Sequence, residues 1–148
     1  MLLTIERVAI LKSVDIFRHT PDYVLASVAA IIEEVEVEED ETFIQEGSIE
    51  DSLYIVVEGQ VRVHTNNKTI IVLSGGDSVG ELAVLDPEPR SANVTAKNQV
   101  LLFRIDKEPF DEVMADRPEI AQGVIRALCR RIRAQAKVIA TGNLQTDS

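Results

Sequence analysis

The sequence predicts a mainly β domain, an antiparallel sandwich or barrel with flanking helices. Apolar residues recur at helical spacing before residue 34 and after residue 106, whereas the region between them alternates in short strands separated by turns. The length of 148 residues suits one domain around one core. Apolar residues form 45% of the chain and charged residues 27%, which are proportions typical of a packed globular protein.

Two helices are predicted at the N-terminal end. The first covers residues 4–12, with Thr4 as its capping residue. The second begins at Pro21, since proline suits a first helical turn, and runs to about Glu33. The predicted buried faces are Ile5, Val8, Ala9 and Lys12 in the first helix and Val24, Leu25, Val28, Ala29 and Ile32 in the second.

The central region changes to a period of two at Glu34, where Val35 and Val37 alternate with glutamates. This alternation places the acidic run on the solvated face of a strand and argues against a cation site. Turn residues such as Glu58-Gly59 and Asn66-Asn67 separate the strands that follow. Those strands are predicted at Thr42–Gln45, Leu53–Val57, Val61–Thr65, Thr69–Leu73, Ala92–Ala96 and Val100–Ile105.

Helical periodicity returns after Asp106, first over Lys107–Ala115 and then from Pro118 to about Ala140. The polar tail Thr141–Ser148 is expected to fray. The last helix carries an apolar seam that can pack on its own domain or against a second copy, and a basic stripe expected to be solvated. The seam is Ile125, Leu128, Ile132, Gln135 and Ile139, and the stripe is Arg126, Arg130, Arg133 and Lys137.

Charge and composition limit the function classes. The net charge of −10 disfavours phosphate polymers and anionic membranes, unless a local basic patch overrides it. No membrane-length apolar stretch or secretory signal is found, and the single cysteine, Cys129, permits no internal disulfide, so a cytoplasmic protein is expected. His19 and His64 form no metal-binding pattern, which disfavours a metal-dependent cupin enzyme.

The stretch from Val79 to Val94 interrupts the strands. Gly80 and two prolines surround good helix formers, which predicts a one-turn helix whose free backbone N–H groups suit an anion. Arg90 adds a fork of donors matched to phosphate, and Glu81 can accept a hydrogen bond from a sugar hydroxyl. These parts complement a small ribose phosphate. The competing interpretation is that Glu81 and Arg90 pair with each other and the glycines serve turns.

Two sequence motifs resemble the phosphate-binding cassette of the cyclic-nucleotide-binding domain family, which includes relatives of the catabolite activator protein and kinase regulatory subunits. The motifs are Gly80-Glu81-Leu82-Ala83 and Pro89-Arg90-Ser91-Ala92-Asn93-Val94, with ten positions from Gly80 to Arg90. The resemblance covers roughly residues 10–138, and Val79 departs from the phenylalanine of many members. It implies a jelly-roll-like β barrel with N-terminal helices and a C-terminal lid or hinge helix, over residues 1–140, before a flexible tail, 141–148.

The resemblance also implies a role for each matching residue. Arg90 would neutralise the cyclic phosphate, and Glu81 would accept a hydrogen bond from the ribose 2′-hydroxyl. Gly80, Leu82 and Ala83 would offer backbone groups, Ser91 its hydroxyl and N–H, and Ala92 would complete the binding segment. Ser91 fits cyclic AMP or cyclic GMP, and cyclic AMP is favoured because small residues there are common in its binders. No aromatic residue follows Phe110, so the base would be covered by Arg131, Gln135 or Val138.

The expected function is a non-enzymatic regulatory or sensor domain whose C-terminal helix moves when the pocket fills. No catalytic residue, metal or cofactor other than the nucleotide ligand is expected. The last helix would contact a second copy or an effector, without direct nucleic-acid binding or membrane insertion. The alternative is an interaction module that keeps the fold without a nucleotide and docks a partner.

Overall fold

The computed structural model describes residues 2–66 and 68–146, and side chains up to residue 142. Two helices, a 3₁₀ turn, eight strands with a short helix among them, and two further helices follow one another in this part of the chain. They are α1 (Thr4–Leu11), the 3₁₀ turn (Asp15–Phe17), α2 (Asp22–Ala29), β1 (Glu33–Val37), β2 (Thr42–Ile44), β3 (Ser52–Glu58), β4 (Val61–Thr65), β5 (Lys68–Leu73), β6 (Ser78–Val79), α3 (Glu81–Leu85), β7 (Asn93–Ala96), β8 (Val100–Asp106), α4 (Lys107–Asp116) and α5 (Pro118–Thr146).

The strands form two four-stranded sheets, in the orders β1-β8-β3-β6 and β2-β7-β4-β5. Every neighbouring pair is antiparallel. The predicted mainly β, jelly-roll-like fold with flanking helices is therefore confirmed, in the form of two open sheets and not one closed barrel. The two-residue strand β6 was not predicted. The predicted Asn66-Asn67 turn includes Asn67, which lies outside the described residues.

Two apolar clusters hold the elements together. One lies between the sheets and is built from alternate residues of both, such as Ile44, Val56, Val94 and Leu102. The other packs the helices on the remaining face of β3 and β8, and includes Phe17, Leu25, Phe103, Phe110 and Ile120. Because β3 and β8 contribute to both clusters, they carry side chains that are buried on both faces.

The predicted buried face of α1 is partly wrong. Val8 is buried as expected, but Ile5 is 76% exposed, Ala9 is exposed, and Leu11 is buried instead. Apolar residues occupy several faces of this helix, so spacing alone does not choose one, and packing against α2 decides. Thr4 is also not the capping residue, since the helix is capped at Leu3, whose backbone N–H donates to the Glu6 carboxylate at 3.4 Å.

Helix α5 differs from its prediction in length and packing. It continues to Thr146 rather than ending near Ala140, because no proline interrupts the tail; the flexibility of residues 141–148 stays a prediction, and Asp147 and Ser148 lie outside the described residues. The apolar seam packs on its own domain only in part: Leu128 is half-buried against the helix-side apolar cluster, whereas Ile125 and Ile132 are 60% and 65% exposed. The basic stripe is exposed, as predicted. Among the described residues, no helix is long and apolar enough to cross a membrane.

Candidate functional site

The predicted one-turn helix is present as α3, and Gly80 precedes it in the left-handed conformation, with φ of +88°. A Cβ atom at Gly80 would lie 2.5 Å from Nη1 of Arg90 and 2.6 Å from the carbonyl oxygen of Ser52. Both the backbone conformation and the close approach therefore require glycine here. The glycine lets α3 start directly against the Arg90 guanidinium.

A pocket of about 440 Å³ opens beside α3. The seven residues predicted for the site all line it, together with apolar residues of β2, β4 and β7 and with Arg131 of α5. Those seven residues are Gly80, Glu81, Leu82, Ala83, Arg90, Ser91 and Ala92. The Leu82 side chain is 56% exposed and Ser91 is exposed, whereas Arg90 and Ala92 are buried. The pocket thus has an open mouth on the side of Leu82 and Ser91 and a closed end at Arg90.

Arg90 is a buried cation with few partners. The residue is 8% exposed, and its Nη2 donates to the Ser52 carbonyl at 2.7 Å. Its Nε is buried and has no partner, and no carboxylate pairs with the guanidinium within the described part of the chain. The backbone of Arg90 is fixed by hydrogen bonds with Ser48 and Gly47, both at 2.8 Å. Burying a charge without a counter-ion is costly, so this guanidinium is suited to receive an anion from the pocket.

The interpretation that Glu81 pairs with Arg90 is wrong. One carboxylate oxygen of Glu81 accepts a hydrogen bond from the Ser78 hydroxyl at 2.8 Å. The other accepts from Nη2 of Arg131 at 2.5 Å. Glu81 and Arg90 therefore stay separate on the pocket wall, the acid held by α5 and the guanidinium held by the β3 backbone. Each keeps polar capacity that a ligand can use.

Arg131 connects the pocket to the N-terminal region, because its Nε donates to Asp15 Oδ2 at 2.8 Å. Partial burial opposes the charged guanidinium, but the adjacent carboxylates of Glu81 and Asp15 prevail and raise the pKa of Arg131. Of the three residues expected to cover the base, only Arg131 lines the pocket, whereas Gln135 and Val138 lie further along α5 and are exposed.

Sequence reasoning missed three polar contributors to this site, the Ser52 carbonyl, the Ser78 hydroxyl and the Asp15 carboxylate. A backbone carbonyl leaves no side-chain signal, and Asp15 lies 116 positions from the arginine that it contacts. Ser78 offered the only usable signal, since it lies three positions before Glu81.

The structure gives no support for a metal centre. No group of three or more His, Cys, Asp or Glu side chains could hold a metal ion in the part of the chain that is described. The Nε2 of His64 lies 2.7 Å from the Thr95 hydroxyl, a contact between neighbouring strands. Cys129 is a free, half-buried thiol on α5.

The two sheets, the short helix α3 with Gly80 before it and the buried Arg90 define a jelly-roll domain with a pocket that is lined by α3 and a buried guanidinium. Residues 34–117 match the model of the cyclic nucleotide-binding domain, and the chain belongs to that family.

Three similar proteins carry the comparison further. The chain is 29% identical over 129 residues to the CRP-like cAMP-activated global transcriptional regulator of Mycobacterium tuberculosis, covering 84% of this chain and 58% of that protein. It is 31% identical over 111 residues to the cAMP-dependent protein kinase regulatory subunit of Dictyostelium discoideum, covering 70% and 34%. The chain therefore spans little more than half, and about a third, of these relatives.

The third is a solved structure, the N-terminal domain of a transcriptional regulator from Streptomyces coelicolor A3(2). It superposes with a TM-score of 0.83 at 30% identity, and the match covers 88% of this chain and 94% of that one. The agreement extends over nearly the whole of both chains.

Proposed function

We propose that the chain binds a cyclic purine nucleotide in the pocket beside α3 and passes the binding event to helix α5. In this proposal Arg90 neutralises the cyclic phosphate, and the backbone N–H groups at the start of α3 add donors. Glu81 accepts a hydrogen bond from the ribose 2′-hydroxyl, and Ser91 offers its hydroxyl and N–H at the mouth. The role is recognition and regulation, with no chemical step.

The observation that carries this proposal is the buried Arg90 guanidinium, which has a neutral carbonyl as its hydrogen-bond partner. A guanidinium that only stabilised the fold would normally have a carboxylate partner at this depth. An anionic ligand supplies the missing counter-charge. The cyclic phosphate fits because the same pocket is also lined by Glu81, a carboxylate that can accept a hydrogen bond from a sugar hydroxyl.

Cyclic AMP is the favoured ligand over cyclic GMP. Ser91 follows the cassette arginine as a small residue, and two curated relatives are named for cyclic AMP. The base would lie towards the open mouth of the pocket, near the Leu82 side chain. Titration with cyclic AMP and cyclic GMP measures this preference directly.

The relay to α5 is supported by Arg131, which lines the pocket and contacts Glu81. A ligand that engages Glu81 changes the surroundings of this arginine and therefore the relative free energies of the arrangements of α5. The ligand favours one arrangement only by its differential affinity for it. The exposed part of the seam on α5, with Ile132 and Ile139 at 65% and 63%, is a surface through which an effector or a second copy would respond.

Isothermal titration calorimetry tests the binding. Wild-type protein is titrated with cyclic AMP, cyclic GMP and linear 5′-AMP, in parallel with Arg90→Leu and Arg133→Leu. Arg133 is exposed on α5, so its variant matches the lost charge without altering the pocket. Because a charge-assisted hydrogen bond contributes about 1.5–3 kcal/mol, Arg90→Leu should weaken cyclic AMP binding by roughly 10- to 150-fold.

Wild type and Arg133→Leu should bind cyclic AMP alike and in preference to the other two ligands. Thermal unfolding of each variant verifies folding. Failure of wild type to bind either cyclic nucleotide would reject the proposal and favour the alternative function, a docking module that retains the fold. Unchanged affinity in Arg90→Leu would reject the assigned role of the arginine.

A further inference from the structure

Three charged side chains from distant parts of the sequence form one hydrogen-bonded network that ends at the pocket. Asp15 of the 3₁₀ turn accepts from Nε of Arg131 at 2.8 Å, and Nη2 of Arg131 donates to Glu81 at 2.5 Å. Ser78 holds the second oxygen of Glu81 at 2.8 Å. This network therefore connects the N-terminal region, α5 and the part of the pocket at Glu81.

The guanidinium of Arg131 is fixed at two points. Its Nε donates to the Asp15 carboxylate and its Nη2 donates to the Glu81 carboxylate, so the two partners together fix the orientation of the guanidinium plane. The side chains of Asp15, Arg131 and Glu81 are 31%, 34% and 17% exposed. Contacts at this depth are less screened than surface ion pairs.

Arg131 orients Glu81 without blocking it. A carboxylate has about four lone-pair directions, and one on each oxygen is used by Ser78 and Arg131. The remaining directions are available to a hydroxyl donor. With both oxygens held, the carboxylate is pre-organised and loses little rotational freedom when a ligand hydroxyl arrives.

We propose that Asp15 and Arg131 are positioning residues for ribose recognition, acting through Glu81. This inference rests on the proposed binding of a cyclic nucleotide and adds how its ribose is selected. Asp15 holds the Arg131 guanidinium in place, and Arg131 in turn holds the Glu81 carboxylate. Recognition of the 2′-hydroxyl then depends on the docking of α5 against the 3₁₀ turn.

The test compares cyclic AMP with 2′-deoxy cyclic AMP, which lacks the hydroxyl that Glu81 would accept from. Calorimetry measures the affinities of Asp15→Asn, Arg131→Gln and the double variant for both ligands. Asp22→Asn is the matched control, because Asp22 is a nearby carboxylate paired with Lys12 at 3.2 Å and has the same charge change. Binding of the deoxy ligand also reports that the pocket of each variant is folded.

Asp15→Asn should weaken the affinity for cyclic AMP about three- to tenfold, which is the range expected for loss of one partly exposed charged contact. Its affinity for the deoxy ligand should change by less than about twofold. The double variant should lose no more than Arg131→Gln alone, and Asp22→Asn should match wild type.

Equal weakening of both ligands, additive losses in the double variant, or tighter cyclic AMP binding by Arg131→Gln would each overturn the positioning role while leaving nucleotide binding intact. If wild-type protein binds neither ligand, the proposed function itself fails, and this inference fails with it.

Discussion

Replacing Gly80 by alanine is the sharpest structural test of the pocket, because two separate costs can be worked out. The first is backbone strain, since φ of +88° in a residue with a Cβ costs about 1–2 kcal/mol. The second is collision: the new Cβ would lie 2.5 Å from Arg90 Nη1 and 2.6 Å from the Ser52 carbonyl, so these atoms must move by close to 1 Å. Overpacking of this kind costs about 1–3 kcal/mol.

Gly76→Ala is the matched control. Gly76 has φ of +93°, and a Cβ atom there would have the Ser13 hydroxyl oxygen as its nearest neighbour, at 3.6 Å, which is an ordinary contact. This variant therefore carries the backbone cost without the collision. Urea denaturation should lower the free energy of unfolding by about 1–2 kcal/mol in Gly76→Ala and by about 2–5 kcal/mol in Gly80→Ala.

Ligand binding separates the two variants further. In Gly80→Ala the displaced Arg90 guanidinium should weaken cyclic AMP binding at least about tenfold, since misplacement by about 1 Å removes much of a charge-assisted contact. Gly76→Ala should bind as wild type does. Equal losses of stability in the two variants would refute the reasoning, because the close approach at Gly80 would then contribute nothing beyond its φ angle.

Two further predictions concern the support of the pocket and the histidine on β4. The Nζ of Lys107 donates hydrogen bonds to the carbonyl oxygens of Leu85 at 3.1 Å and Val84 at 3.4 Å. Because these bonds satisfy the end of α3, Lys107→Met should lower the free energy of unfolding by about 0.5–1.5 kcal/mol in urea titrations. Lys137→Met is the control and should leave the free energy of unfolding unchanged. Burial and the nearby Arg62 lower the pKa of His64 in the folded protein. As the pH falls, this histidine is therefore protonated in the unfolded chain before it is protonated in the folded chain, which favours unfolding. The free energy of unfolding should therefore decrease as the pH falls through 6.5, the ordinary pKa of histidine, and it should decrease less steeply in His64→Gln. Equal slopes in the two proteins would contradict this prediction.

The parts of the fold that could be predicted depend on local periodicity. The alternation at Val35 and Val37 predicted β1, and the glycine and prolines around residues 80–89 predicted α3. The buried face of α1 could not be predicted, because Ile5 and Leu11 are equally apolar and only packing against α2 distinguishes them. Strand β6 has two residues, too few for any period to be visible.

The residues of the candidate site were predictable as a set, but their pairing was not. Gly80, Glu81 and Arg90 are close in sequence and line one pocket. The partners that hold the two charged groups come from elsewhere: Arg131 lies 50 positions from Glu81, and the Ser52 carbonyl lies 38 positions from Arg90. Such pairings depend on the packing of α5 and β3 around α3, which no local pattern encodes.

The net charge of −10 does not conflict with an anion site. Most of that charge lies on the surface and is screened by salt, whereas the anion would meet a buried cation at short range. Charges on the surface are screened within about 8 Å at physiological ionic strength. Asp86 and Glu88, two carboxylate residues at the pocket, are exposed and therefore well screened, and the carboxylate of Glu81 is balanced by Arg131. At the buried end of the pocket this leaves the guanidinium of Arg90, without a carboxylate partner among the described residues. The local field that a small phosphate meets there is therefore positive, although the protein as a whole is acidic.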